Sequence, residues 1–185
     1  MIEVGSEIVL IGPVRTGKST LGKLLAQRLD VPQVSLDKRR WHYYKEIGYD
    51  EGLATEIRSR GGFLALALYW NLFDAYAAER LLAEHQNCVF DFGAAIYWND
   101  EILGRVQRAL RPYRNVVLVL PSPDIEESLR ILRERDPNPP ADLNFDFNAY
   151  FVRHGSYYVL AKLIVYTKGK TPEETRDEIL ARVTS

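Results

Sequence analysis

The run Gly12-Pro13-Val14-Arg15-Thr16-Gly17-Lys18-Ser19, continued by Thr20, holds the residue types that grip a polyphosphate. Its spacing is G-x-x-x-x-G-K-[ST], the phosphate-binding loop or Walker A motif. In such a loop the backbone N–H groups and the N-terminus of the next helix converge on phosphate oxygens. Lys18 then reaches the β- and γ-phosphates, and the Ser19 hydroxyl is a ligand for Mg²⁺. ATP and Mg²⁺ are the cofactors this pattern calls for.

Two acids complete a possible phosphoryl-transfer site. Asp91 ends the apolar run Cys88-Val89-Phe90, the shape of a carboxylate that holds Mg²⁺ directly or through water. The alternative is a turn-forming aspartate. Asp37 follows a short run ending at Ser35, where it either orients and deprotonates an acceptor hydroxyl or caps the helix starting with Lys38. Arginines supply the remaining candidates. Arg153 is placed to hold an anionic acceptor through two parallel hydrogen bonds, with Arg58 as a second anchor; either could equally be a solvated surface residue. Arg133 and Arg135 flank a proline-rich segment, and one of them is expected to neutralise the transferring phosphoryl group or stack on adenine. We take Arg133 as the catalytic candidate.

These residues need a frame in which strand ends meet a loop. Ile8-Val9-Leu10-Ile11 feeds into the phosphate-binding loop, and an amphipathic run with Leu21, Leu24, Leu25 and Leu29 leaves it. Further apolar runs bounded by turn signals predict strands at about 32–35, 88–92, 116–120 and 163–166. Helical patterns fall at about 18–29, 36–44, 52–59, 63–85, 100–110, 123–135, 147–160 and 172–183. The alternation predicts an α/β fold, a parallel sheet covered by helices, as one domain over 1–185. Thr171-Pro172-Glu173-Glu174 is a helix start with cap, proline and answering carboxylate, and Ser122-Pro123-Asp124 reads the same way. Leu72, Phe73, Tyr76, Leu81 and Leu82 form a stripe expected in the core. The proline-rich stretch 136–144 forbids a continuous helix and is either a lid, spanning about 133–147, or a plain surface loop.

Charged residues make up 26% of the 185 residues and the formal net charge is −1. No global field draws this chain to nucleic acid or an anionic membrane. The Lys38-Arg39-Arg40 cluster beside Trp41-His42-Tyr43-Tyr44 could grip nucleic acid, but solvated charges beside packed rings are the commoner outcome. The sole cysteine, Cys88, sits in an apolar run, as expected of a buried residue in a reducing compartment. No secretory signal is read at the start, and the longest apolar stretch, 63–70, is too short to span a bilayer. A cytoplasmic location follows as the expectation. His42, His85 and His154 lack metal-ligand spacing.

Four fragments together resemble the shikimate kinase group of small P-loop kinases. They are Gly17-Lys18-Ser19-Thr20, Ser35-Leu36-Asp37, Asp91-Phe92-Gly93 and Arg153-His154-Gly155-Ser156-Tyr157. The last is similar to the group's Arg-Asn-Pro-x-Tyr segment, whose arginine holds the acceptor's carboxylate. The resemblance implies a three-layer α/β/α sandwich with a five-stranded parallel sheet in the order 2-3-1-4-5. It also implies transfer of the γ-phosphoryl group of ATP to a small hydroxylated, anionic acceptor, with Asp37, Gly93 and Arg153 at that acceptor.

Departures bear on the acceptor. Arg15 stands where the group has a second glycine, and Ser35 replaces the first carboxylate of its Asp-x-Asp. Gly93-Ala94-Ala95 replaces a triple glycine, and Asn138 lies near the place of a lid arginine. These changes argue against shikimate itself. A nucleoside or nucleotide kinase shares the motif and is supported by the aromatic cluster. A nucleotide-binding switch that transfers no phosphate is supported by the lost glycines.

Overall fold

The computed structural model describes residues 7–95, 97, 99–136 and 145–183. The chain runs β1 (Ile8–Ile11), α1 (Lys18–Leu29), β2 (Gln33–Ser35), α2 (Leu36–Glu46), α3 (Glu51–Glu84) and β3 (Val89–Asp91). It continues α4 (Asp100–Leu110), β4 (Asn115–Leu120), α5 (Ile125–Arg135), α6 (Phe147–Arg153), α7 (Ser156–Leu160), β5 (Leu163–Tyr166) and α8 (Pro172–Val183). The five strands form one parallel sheet in the order β2-β3-β1-β4-β5.

Every residue of β1 and β4 is buried, because helices cover both faces. Side chains alternate between the two faces. Val9, Ile11, Val116 and Leu118 enter a core with α2, α3, α4 and α5. Ile8, Leu10, Val117 and Val119 enter a second core with α1 and α8. This is the three-layer arrangement expected. Register brings the strand ends level: Leu10 pairs with Asp91, and Ser35 pairs with Asp91 on the other side. The strand order reverses at β1, and open sheets of this kind bind ligands in the crevice beyond the carboxyl ends at such a point.

Several helix boundaries differ from the sequence pattern, each for a local reason. The helices expected at 52–59 and 63–85 are both present, run together as α3 and parted at Gly62, whose φ of 70° and ψ of −168° leave helical space. The single helix expected at 147–160 is two, α6 and α7, because His154 is extended (φ −80°, ψ 134°). Asp124, not Ser122, caps α5, its carboxylate accepting from the Glu127 N–H at 2.7 Å. At α8 the expected capping box forms, with Glu174 N–H to Thr171 Oγ1 at 3.1 Å and Thr171 N–H to Glu174 Oε2 at 2.7 Å. Phe73, Leu81 and Leu82 of the α3 stripe are buried, but Leu72 is 49% exposed.

The aromatic run after Arg40 is mostly packing: Tyr43 and Tyr44 are wholly buried, while Trp41 is exposed and meets Tyr44 in a T-shaped contact. Cys88 is buried, and burial pushes its thiol up to about 12, so it is no nucleophile. Among the described residues no helix is long and apolar enough to cross a membrane. Residues 137–144, most of the segment read as a lid, lie outside the described residues.

Candidate active site

The phosphate-binding loop owes its shape to its glycines. Gly12 has φ +139°, and a Cβ there would lie 2.6 Å from the Val119 carbonyl oxygen of β4. Gly17, at φ 94°, is the N-cap of α1 and offers no side chain to the helix end. No acid stands in the first turn of α1 either. Three capped helices show the contrast: Asn99, Asp124 and Asp146 each accept from the first turn of α4, α5 and α6. The N–H groups and positive dipole end of α1 are thus left for an anion.

Lys18 is buried, and its ammonium donates to the carbonyls of Gly12 (2.8 Å) and Pro13 (2.6 Å), bracing the loop on itself. Burial lowers its pKa to about 8, with Asp91 and Asp37 pulling the other way. Ser19 Oγ donates to Asp91 Oδ2 at 2.6 Å, and the Gly93 N–H holds the other oxygen at 3.1 Å. A hydroxyl and a carboxylate side by side below a phosphate cradle are the hard oxygen donors Mg²⁺ takes, and phosphates and waters would complete its shell. The residues present therefore fit the ion.

Asp37 sits in the first turn of α2 rather than at its cap, so the capping alternative does not describe it. Its carboxylate lies against Gly93, where an added Cβ would approach Oδ1 to 2.4 Å. Gly93 has φ +63°, so glycine serves both the turn and the close approach.

Three cavities meet at these residues in a row. The first, about 330 Å³, lies between Arg15, Thr20, Arg135, Thr167 and Pro172. The second, about 280 Å³, is bounded by Gly17, Lys18, Ser19, Asp37, Asp91 and Gly93. It shares Arg15, Gly17 and Thr20 with the first. The third, about 220 Å³, shares Val14, Asp37 and Ala94 with the second and extends between Phe63, Trp70, Asp74 and Phe151. The second cavity thus adjoins both of the others and carries the phosphate-binding loop on its wall.

The expected arginines are distributed differently. Arg133 points away from the first cavity and pairs with Asp146 at 2.9 Å, whereas Arg135 lines that cavity and donates to the Arg15 carbonyl at 3.2 Å. Two residues along a helix differ by about 200°, so only one of the pair can face the loop. Arg153 is exposed and paired with Glu126 at 2.6 Å. Arg58 is exposed, its guanidinium 5.5 Å from the Phe63 ring centre. Neither Arg58 nor Arg153 lines the third cavity, although the expectation of an anionic acceptor leaned on both. The segment carrying Arg153 does reach the site through Tyr157, whose buried hydroxyl donates to the Ala95 carbonyl.

Sequence reasoning missed two residues that line the third cavity. Arg40, read as solvated, is largely enclosed between Asp37 (2.7 Å) and Asp74 (3.7 Å). Asp74, inside a stripe read as apolar core, also accepts from the Tyr44 hydroxyl. Burial raises the Asp74 carboxyl above its ordinary range, against the opposing pull of Arg40 and Tyr44. A lone acid among Ala75, Ala77 and Ala78 was the available signal.

No family model matches the chain. Individual proteins do. The shikimate kinase of Streptomyces coelicolor is 30% identical over 183 residues, covering 95% of this chain and 94% of that one. The shikimate kinase of Persephonella marina is 26% identical, with 95% and 98% covered. Among solved structures, shikimate kinase from Acinetobacter baumannii in complex with shikimate superposes with a TM-score of 0.63 at 18% identity, covering 96% of this chain and 92% of that one. Shikimate kinase from Aquifex aeolicus gives 0.61 at 24% identity, with 96% of each chain covered. The sheet order, the cradle ahead of α1 and a relative matched along nearly its whole length agree, and the chain belongs to the shikimate kinase family.

Proposed function

We propose that this protein is an ATP-dependent kinase that transfers the γ-phosphoryl group to a hydroxyl of a small molecule other than shikimate. The observation that carries the reading is the row of three cavities, with Lys18, Ser19 and Asp91 in the middle one and Asp37 at its border with the third. ATP would lay its nucleoside between Arg135 and Pro172 and its phosphates on the loop from Gly12 to Thr20. Mg²⁺ held at Ser19 and Asp91 would supply charge neutralisation at the phosphate oxygens. Lys18 adds a cation beside the same oxygens. Asp37 stands where it accepts the proton of the acceptor hydroxyl as that oxygen attacks.

The reading treats the chain as a single cytoplasmic domain, with the segment around 133–147 as a lid whose flank brings Arg135 to the nucleotide. Shikimate is set aside because of Ser35, Ala94 and Ala95 in place of the group's residues, and because Arg58 and Arg153 stand outside the acceptor cavity.

The test is ADP release by purified protein with ATP and Mg²⁺, screened over shikimate, nucleosides and other hydroxylated metabolites. Acceptor-dependent release that vanishes in Lys18→Ala is the expected result. ATP binding without acceptor-dependent release from any compound would make the protein a nucleotide switch instead.

A further inference from the structure

The third cavity carries a chemical signature of its own. Its polar lining is Asp37, Arg40 and Asp74, two carboxylates against one guanidinium. Asp37 at 2.7 Å and Asp74 at 3.7 Å hold that guanidinium, so its charge is already matched within the protein. The remaining walls are apolar, with Phe63, Trp70, Phe147 and Phe151 the large ones. The residues outside the description include no lysine or arginine, so every basic side chain of the molecule is placed, and only Arg40 lines this cavity.

An anion entering this space would meet a net negative lining and no free cation among the described residues. With its charge matched by the two carboxylates, the guanidinium is not left over for a carboxylate or phosphate on the ligand, whereas the ring walls suit an uncharged one.

We propose that the acceptor is an uncharged, ring-bearing alcohol. Its ring lies among Phe63, Trp70 and Phe147, and its reacting hydroxyl meets Asp37. Asp74 is the specificity residue, since it sets the sign of the lining without bordering the phosphate cavity. This rests on the kinase reading for the orientation of the hydroxyl, but the preference for neutral ligands does not.

Pairs that share a ring and differ in one anionic substituent test it: shikimate against its methyl ester, 3-hydroxybenzoate against 3-hydroxybenzyl alcohol, and adenosine monophosphate against adenosine. Binding to the full chain, loaded with Mg²⁺ and a non-hydrolysable ATP analogue, is read by calorimetry. The neutral member of at least one pair should bind tenfold or more tightly than its anionic twin. Asp74→Asn should narrow that ratio severalfold, and Trp70→Ala should weaken the neutral ligand about tenfold. Equal or tighter binding of the anion, or no binding by any neutral member, overturns the proposal. ADP release in parallel separates the two readings. Neutral binding without release would sink the kinase and leave the cavity's preference standing, whereas release with shikimate alone would do the reverse.

Discussion

Replacing Arg40 by methionine probes the charge cluster that lines the third cavity. Asp74 is only 6% exposed in its side chain and Arg40 12%, while Asp37 is 56% exposed. Asp37 can therefore turn to water when its partner goes, and Asp74 cannot. Removing one member of a buried ion pair costs about 3–5 kcal/mol, most of it the stranded charge. Two features place this case at the low end. The Arg40–Asp74 gap of 3.7 Å is too long for a hydrogen bond, and the Tyr44 hydroxyl stays on Asp74. About 3 kcal/mol is expected, which in a domain of this length lowers Tm by on the order of 10 °C.

The pH dependence has a definite sign. Burial raises the folded-state pKa of Asp74 above its unfolded value, so the folded state binds the extra proton. Stability contributed by such a group is lost as pH rises through the folded pKa. Taking Arg40 away removes an influence that lowers this pKa, extending the window upward. Urea melts of Arg40→Met should then show a loss that is smaller near about pH 5 than near about pH 7.5. The double variant Arg40→Met/Asp74→Asn should recover most of the stability, because no charge is left stranded and the amide oxygen still accepts from the Tyr44 hydroxyl. A single-variant loss below about 1 kcal/mol, or a double variant no better than the single, would refute the reasoning.

Other outcomes follow from the same geometry. Asp37→Asn should cut turnover by about 10²–10⁴ while ATP affinity by calorimetry changes far less, as befits a proton acceptor outside the cavity proposed for the nucleoside. Gly93→Ala, which drives a Cβ to 2.4 Å from Asp37 at a φ of +63°, should raise the acceptor KM and lower kcat in steady-state assays with ATP KM little affected. Arg135→Ala should raise the KM for ATP, whereas Arg133→Ala, removing an exposed pair with Asp146, should leave it nearly unchanged. Only the protonated form of Lys18 attracts phosphate, so ATP affinity should fall as pH rises through about 8. Fluorescent-nucleotide titrations in a metal chelator would read that fall, and a flat profile across that range would count against the lowered pKa.

The sheet and the loop were legible because their signals are local. Four apolar residues, a glycine spacing and a helix pattern fix β1, the cradle and α1 without reference to the rest of the chain. The break between the helices of α3 was legible for the same reason, since Gly61-Gly62 interrupts the pattern. The charged lining of the third cavity was not. Arg40 looks like one more solvated cation beside Lys38 and Arg39 until α3 lays Asp74 against it, more than thirty residues away in the sequence. Arg133 and Arg135 are equivalent in composition, and only the rotation of α5 decides which one faces the loop. Leu72 belongs to the apolar pattern of its helix but stands half exposed. In each case the missing information is a long-range contact, which residue type and spacing do not carry.

The central claim is that the phosphoryl group leaves ATP for a hydroxyl that docks beside Asp37. The most direct measurement follows an isotopic label from the γ-phosphate of ATP into the best acceptor of the screen, by mass spectrometry, with wild type and Asp37→Asn side by side. The account predicts label in a phosphate ester of the acceptor from wild type and very little from the variant. Label found only in free phosphate, or equal transfer by both proteins, would contradict it.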